Sequence, residues 1–289
     1  MLTVVIPVYN RASLLSRCLD SIAEQTVRPA RVIVVDDGST DGSADVARRH
    51  RIGADVVEGR HAGAAAARNL GLERVTTEWT MFFDSDDVML PTHIETAMAM
   101  AADDVDIVGW DIKYRTKSNR DVVRKFRTKD IRYHNLLHGS LSTQKYMART
   151  SLFRRAGGWN PKVGVWDDIE LGARLLNLQP RIVKRDMITV SVFAQEDSIT
   201  GFNWSDKTEQ FCVALDELSR TVPPNHRDWI DLLTAILAAD IWREDAEDGK
   251  KVYSRISKKS MAVRLAHRYR RSGGRGTAHL FKPFFSRER

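Results

Sequence analysis

The chain has 289 residues, 43% of them apolar, with two cysteines and a formal net charge of +7. That length exceeds the usual single-domain size, so one large α/β domain with an appendage is expected. Cys18 and Cys212 provide no disulfide framework and no window approaches 18 uncharged apolar residues, so a disulfide scaffold and a spanning helix are both excluded. The chain opens on a strand pattern instead of a signal peptide, and the expected location is the cytoplasm, at most peripheral to the inner face of a membrane.

In chain order, "LTVVIPVYN" (2–10) is a β-branched run stopped by Pro7 and Asn10. Residues 11–25 place Leu14, Leu15, Cys18, Leu19 and Ile22 at helical spacing, with Ser13 as candidate N-cap and Asn10 competing. A strand at 30–39, a helix at 43–51, a short strand at 54–59, a helix at 63–75 and a strand at 78–87 follow. Residues 90–102 read as a helix and 106–115 as a strand. The polar, basic stretch 115–130 reads as a hairpin or loop, and 140–159 as a strand and a short helix ended by Gly157-Gly158. A helix at 165–178, a strand at 181–193 and helical signal from 206 to 243 complete the pass. Strands alternating with helices of this length imply βαβ units and a mostly parallel sheet.

In such sheets ligands bind beyond the carboxyl ends of the strands. "PVYN", "DDGSTDG" and "DSDD" all stand at strand ends, so they should converge on one rim. Capping accounts for Asp41 and Ser43 but not for the Asp36-Asp37 pair. "VVDD" also fits a magnesium-binding receiver domain, but that fold wants Lys-Pro at a later strand end, and the one Lys-Pro here is Lys282-Pro283. Alone, a D-x-D turn such as Asp84-Ser85-Asp86 is more often solvated turn chemistry, with Asp87 or Thr92 capping the next helix. Beside "DDGS" on one rim, it suits a hard divalent cation that keeps positions open for water and phosphate. Asp167 and Asp168 at a helix start are stabilised by the macrodipole and also suit a general base, while Arg174 can hold Glu170 one turn away.

Together, "VVIPVYNR", "VIVVDDGSTDGS", "GAAAARNLG", "FFDSDDVMLP" and "GGWN…WDDIELGARL" resemble, in order and near spacing, the family 2 glycosyltransferases with the GT-A fold. The resemblance covers residues 1 to about 200. It implies a Rossmann-like, mostly parallel sheet flanked by helices, and inverting transfer of a sugar from a nucleotide donor, most often UDP-linked. It implies that Pro7, Val8 and Tyr9 line the base pocket, that Asp37 accepts from the base, and that Gly63 and Arg68 approach the donor. Asp84 and Asp86 match the family's D-x-D, with Asp86 on a manganese or magnesium ion and Asp84 toward the donor sugar or ribose. Asp168 matches the catalytic base, and Asp167 stands where Glu is usual. In a segment like His-x-x-Ser-Ile-Thr, whose His can complete the metal site, this chain has Gln195 at the His position. The QxxRW signature of processive synthases is absent, so a non-processive enzyme of surface polysaccharide or glycolipid synthesis is expected. The alternative is a non-catalytic sugar-nucleotide-binding protein on the same fold.

The implied partition is a catalytic domain at 1–205, a helical extension at 206–249 and a basic amphipathic tail at 250–289. Residues 250–289 carry 13 Lys and Arg against one acid, Glu288, whereas residues 1–249 carry 32 against 37. The tail is either a solvated, frayed terminus or an attachment to anionic lipid with Phe281, Phe284 and Phe285 in the interface, which would suit a lipid-linked saccharide acceptor. No nucleic-acid-binding motif is present.

Overall fold

A computed structural model describes residues 1–194 and 204–285. The first half follows the predicted alternation. β1 (Leu2–Val8), α1 (Ala12–Ala23), β2 (Arg31–Asp36), α2 (Ser43–Arg49), β3 (Asp55–Glu58), α3 (Ala64–Arg74) and β4 (Trp79–Phe82) lead into the short β5 (Val88–Met89) and α4 (His93–Met98). β6 (Ile107–Arg115) and β7 (Asp121–Arg124) form the hairpin expected at 115–130. Next come α5 (Ile131–His138), β8 (Tyr146–Arg149), α6 (Thr150–Arg155), α7 (Asp167–Asn177) and β9 (Ile182–Phe193). α8 (Thr208–Thr221), α9 (Arg227–Trp242), α10 (Ala246–Ser254), α11 (Met261–Arg271) and α12 (Thr277–Phe281) complete the described chain.

The strands form one sheet in the order β3-β2-β1-β4-β8-β6-β9-β5, with β7 added beside β6. β1 pairs in parallel with β2 and β4, and β2 with β3, so their carboxyl ends share a rim. β8 runs antiparallel between β4 and β6. Alternation along β1 and β2 explains the burial. Val4, Ile6, Val32 and Val34 face a cluster that includes α1, whereas Val5, Ile33 and Val35 face one built with α3 and α7. A sheet buried on both faces reads as a continuous apolar run, as these strands do.

Two positions require glycine, one for close approach and one for its backbone conformation. A Cβ on Gly71 would lie 2.4 Å from Val5 Cγ1, so α3 rests directly on β1. At Gly63, φ is +90°, a conformation that disfavours side chains.

Several local expectations are corrected. Neither Ser13 nor Asn10 caps α1. Its N-cap is Arg11, without a side-chain cap bond, and Asp41 instead accepts from the Ala12 amide at 2.9 Å. Asn10, at φ +49°, ties the end of β1 to the next loop by accepting from the Thr40 amide at 2.8 Å. Thr92, the candidate cap of the helix after "DSDD", is in the N-cap position of α4 but makes no side-chain cap hydrogen bond. The predicted strand 78–87 splits at the acidic turn, and α5 was not foreseen at all.

The basic C-terminal stretch is not a frayed terminus over residues 250–285. Val252 and Ala266 join the cluster built on α8 and α9, and Arg270 binds Asp240 through Nε at 2.7 Å and a second nitrogen at 2.9 Å. Phe281 and Phe285 pack against the same helices, whereas Phe284 is 67% exposed. No helix among the described residues is long and apolar enough to cross a membrane.

Candidate active site

The rim holds the first acidic pair tightly. Asp37 is buried, and its two oxygens accept from the amides of Ala62 at 2.9 Å and Gly63 at 2.7 Å. It thereby fixes the entry to α3. Asp36 accepts from the Ser39 amide at 3.1 Å, and its other oxygen is buried without a partner. Pro7 and Val8 are buried within β1 and offer the rim only backbone. Tyr9 is 42% exposed, with its ring 4.3 Å from that of His61.

Beyond this corner lies a cavity of about 910 Å³ lined by Gly63, Ala64, Arg68, Asp84, Asp86, Asp87, Gln144, Asp167 and Asp168, among others. Arg68, on α3, is buried and organises it. One guanidinium nitrogen binds Asp84 at 2.8 Å and another binds Asp167 at 2.8 Å, while the group lies 4.3 Å over the Trp159 ring. Burial pulls the guanidinium pKa down, but Asp84 and Asp167 outweigh it and hold the group charged. Gln144 donates to the other oxygen of Asp84.

Asp86 and Asp87 complete the acidic turn. The Asp86 carbonyl accepts from Arg17 at 2.9 Å, which pins the turn to α1. Asp87, expected as a turn or cap residue, is instead the buried member, 2% exposed, and accepts from the Phe193 amide at 3.2 Å. Burial, then Asp86 and Asp84, push its carboxyl well above the usual range. Asp168 accepts from the Ile169 amide at 2.8 Å in the first turn of α7. Burial, followed by the neighbouring Asp167, raises its pKa to about 7. Asp167 is also raised by burial, opposed by Arg68. Glu170 and Arg174 form the expected pair, at 2.7 and 2.8 Å, and Arg174 also binds the Gly158 carbonyl at 2.6 Å, fastening α7 to the preceding loop.

The structure therefore brings Gly63, Arg68, Asp84, Asp86 and Asp168 to one cavity. Pro7, Val8, Tyr9 and Asp37 adjoin that cavity without lining it. Gln195 lies outside the described residues. Three contributors escaped the sequence reading: His61, Gln144 and Lys145. Lys145 is a buried residue beside Asp168 in an adjoining cavity. Each acts through a long-range contact or through burial, with no local pattern to mark it. Among the described residues no three His, Cys, Asp or Glu side chains are grouped to hold a metal by themselves. The acidic turn nonetheless supplies hard oxygen donors that repel one another, which suits a divalent cation shared with substrate phosphates and water.

A sheet of this order with an acid-lined cavity at its carboxyl rim defines a GT-A-type α/β protein. Staphylococcus aureus TarS 1–349 in complex with UDP-GlcNAc has this fold: TM-score 0.68, 18% identity, 98% of this chain and 91% of that one covered. A mannosyltransferase from Pyrobaculum calidifontis, in complex with GDP-Man and Mn2+, matches with TM-score 0.60 and 18% identity over 97% of this chain and 83% of that one. The family model "Glycosyl transferase family 2" matches residues 3–157, and the chain belongs to that family. An uncharacterised Escherichia coli glycosyltransferase, YibD, is 33% identical over 142 residues, 48% of this chain and 41% of its own length. The match to the Streptococcus pneumoniae glycosyltransferase GlyA, 41% identical over 100 residues, takes in 33% of this chain and 14% of that relative. The chain thus spans less than half the length of these curated relatives.

Proposed function

We propose that the protein transfers a sugar from a nucleotide-sugar donor to an acceptor hydroxyl, with inversion, one sugar at a time, in the assembly of a bacterial surface glycan or glycolipid. The observation that carries this reading is the Arg68 bridge. It gathers Asp84 and Asp167, from motifs far apart in the chain, around one cavity beside Asp168.

In this reading Tyr9, Asp37 and the ends of β1 hold the base, and a carboxylate already bound to two amides keeps acceptor capacity for a third donor. Arg68 is committed to two carboxylates, so it positions Asp84 and is not the primary phosphate ligand. The first turn of α3, with Ala64 and Ala65 on the cavity, offers the positive end of a helix to the diphosphate. Asp86 would hold a divalent metal ion, manganese or magnesium, with Asp84 toward the donor sugar and Gln195 a further candidate ligand. Such an ion would neutralise charge on the departing diphosphate. Asp168 accepts the proton of the acceptor hydroxyl while that oxygen bonds to the anomeric carbon from the face opposite the leaving group. The anomeric carbon–oxygen bond breaks in the same displacement, and the nucleoside diphosphate leaves with the electron pair.

The partition into residues 1–205, 206–249 and 250–289 is proposed to separate donor chemistry from acceptor delivery. The basic segment is proposed to meet an anionic membrane surface, because Met261, Leu265 and Phe284 are exposed on a segment of net charge +12.

The test is a thermal-shift screen of UDP- and GDP-sugars with and without manganese, followed by assay of nucleoside diphosphate release. Stabilisation by a nucleotide sugar together with release is the expected result. Stabilisation without release or transfer to any acceptor would favour a binding protein instead, and no stabilisation by any nucleotide sugar would sink both readings.

A further inference from the structure

Asp168 borders two cavities, not one. Besides the acid-lined space over the sheet, a second cavity of about 660 Å³ opens on its other side, between the β7 strand, α5 and the helices α9, α11 and α12. Arg124, Ser142, Trp166 and Asp168 line both, so they form the wall between them.

The second cavity has the opposite character. Arg124, Lys125, Arg127, Lys145 and Arg270 line it, against the two acids Asp168 and Asp240. Asp240 is already neutralised, bound by Arg243 at 2.6 Å and by Arg270 at 2.7 and 2.9 Å. Among the described residues, Arg124, Lys125, Arg127 and Lys145 have no carboxylate partner within ion-pairing distance. Arg124 lies 3.5 Å over the Tyr114 ring, and the Lys145 ammonium, 1% exposed as a residue, donates to the Gly139 carbonyl at 2.8 Å. Burying an ammonium without a counter-charge is costly unless the site meets an anion when it works. Burial followed by Arg124 lowers the Lys145 pKa to about 8, only partly opposed by Asp168 and Asp111. Leu137, Leu233, Ile236 and Leu237 supply an apolar wall opposite the cations.

We infer that this second cavity is the acceptor site and that it recognises an acceptor bearing a phosphate group, with an apolar portion against α9. The inference rests on the sugar-transfer reading only in naming the occupant an acceptor. The phosphate meets Lys125, Arg127 and Lys145, and the acceptor hydroxyl extends past Asp168 into the donor cavity, where its proton passes to that carboxylate as its oxygen bonds to the anomeric carbon. One carboxylate shared by two cavities of opposite charge thus keeps an anionic donor and an anionic acceptor on separate surfaces.

The probes are octyl phosphate below its micelle concentration, inorganic phosphate and the neutral octyl glucoside, each titrated calorimetrically into the full chain with UDP present to fill the donor site. UDP binding is measured first. If UDP fails to bind, GDP takes its place, and if neither binds with manganese present the donor reading falls, while the phosphate titrations still report on this cavity. Octyl phosphate should bind more tightly than octyl glucoside. The double substitution Lys125→Gln/Arg127→Gln, on exposed residues outside the donor cavity, should weaken it about ten-fold and leave UDP affinity unchanged. Ile236→Ser should weaken octyl phosphate but not inorganic phosphate. Displacement of octyl phosphate by low inorganic phosphate would identify a soluble phosphate ester as the source, and its absence a lipid-linked one. No binding of octyl phosphate, equal binding of octyl glucoside, or an unchanged affinity in the double variant overturns the inference.

Discussion

At the scale of single residues, the site works by mismatched neighbours. Asp168 sits beside Asp167 with one cation, Arg68, serving Asp167 and Asp84, so Asp168 bears the uncompensated burial and its pKa rises to about 7. A base must be unprotonated, so kcat/KM, whose pH profile reports the free enzyme's groups, should fall about ten-fold per pH unit below pH 7. Asp168→Asn should abolish transfer while leaving donor affinity within about two-fold, and wild-type turnover in that variant would remove Asp168 from its role. The same shift has a stability consequence of definite sign. The folded carboxyl holds its proton more tightly than the usual 3.8, so the folded state binds more protons between pH 4 and pH 7 and stability falls as pH rises through that window. Asp168→Asn should therefore be more stable than wild type above pH 7, by up to about 4 kcal/mol, and close to it below about pH 4. Arg68→Met removes the buried guanidinium and leaves two half-buried carboxylates without their shared cation. It should cost about 3–5 kcal/mol at pH 8 and less at pH 5, where protonation relieves the repulsion. Denaturant titration at the two pH values measures the difference.

At the scale of elements, α3 is the positioning device. It carries Arg68, begins at the amides that Asp37 holds, and touches β1 through the bare backbone of Gly71. Gly71→Ala should push α3 away from Val5, at a cost of about 1–3 kcal/mol. The cost to donor affinity should be proportionally larger than in a surface variant of equal stability, because the displaced helix moves Arg68 and hence Asp84. Donor affinity compared between Gly71→Ala and such a control decides this. α7 is held to α3 by Arg68 on Asp167 and also by the Arg174 bridge from Glu170 to the 156–158 loop, so Asp168 should move less than Asp84 when α3 shifts.

At the scale of the whole molecule, the C-terminal helices are structural as well as basic. Val252, Ile256 and Val263 are buried against α9, so deletion of residues 250–289 would expose the core of the helical layer and confound any binding test. Membrane attachment is better tested with Met261→Ser/Leu265→Ser/Phe284→Ser, which changes only exposed side chains and should alter stability by less than about 1 kcal/mol. Co-sedimentation with phosphatidylcholine vesicles containing phosphatidylglycerol should fall at least several-fold in the triple variant. Retention at the wild-type level would mean that the segment serves only the helical core.

The sequence by itself determined what local chemistry can determine. Alternating β-branched runs and amphipathic helices specified the βαβ order, and the strand-end acids marked the rim, because a parallel sheet places every such end on one edge. The polar stretch 115–130 left hairpin and loop both open, and the pairing of β6 with β7 decided for the hairpin. What only the tertiary structure decided depends on partners far apart in the chain. Asp87 looked like a turn residue and is buried because β9 closes over it. Arg68 was implied only to approach the donor, and the fold engages it with Asp84 and Asp167, which reach it from distant motifs. The basic terminus read as either a solvated end or a lipid attachment and is largely folded because its Val, Ile and Ala residues find α9. Charge and burial are properties of the assembled neighbourhood, and no window of sequence contains that neighbourhood.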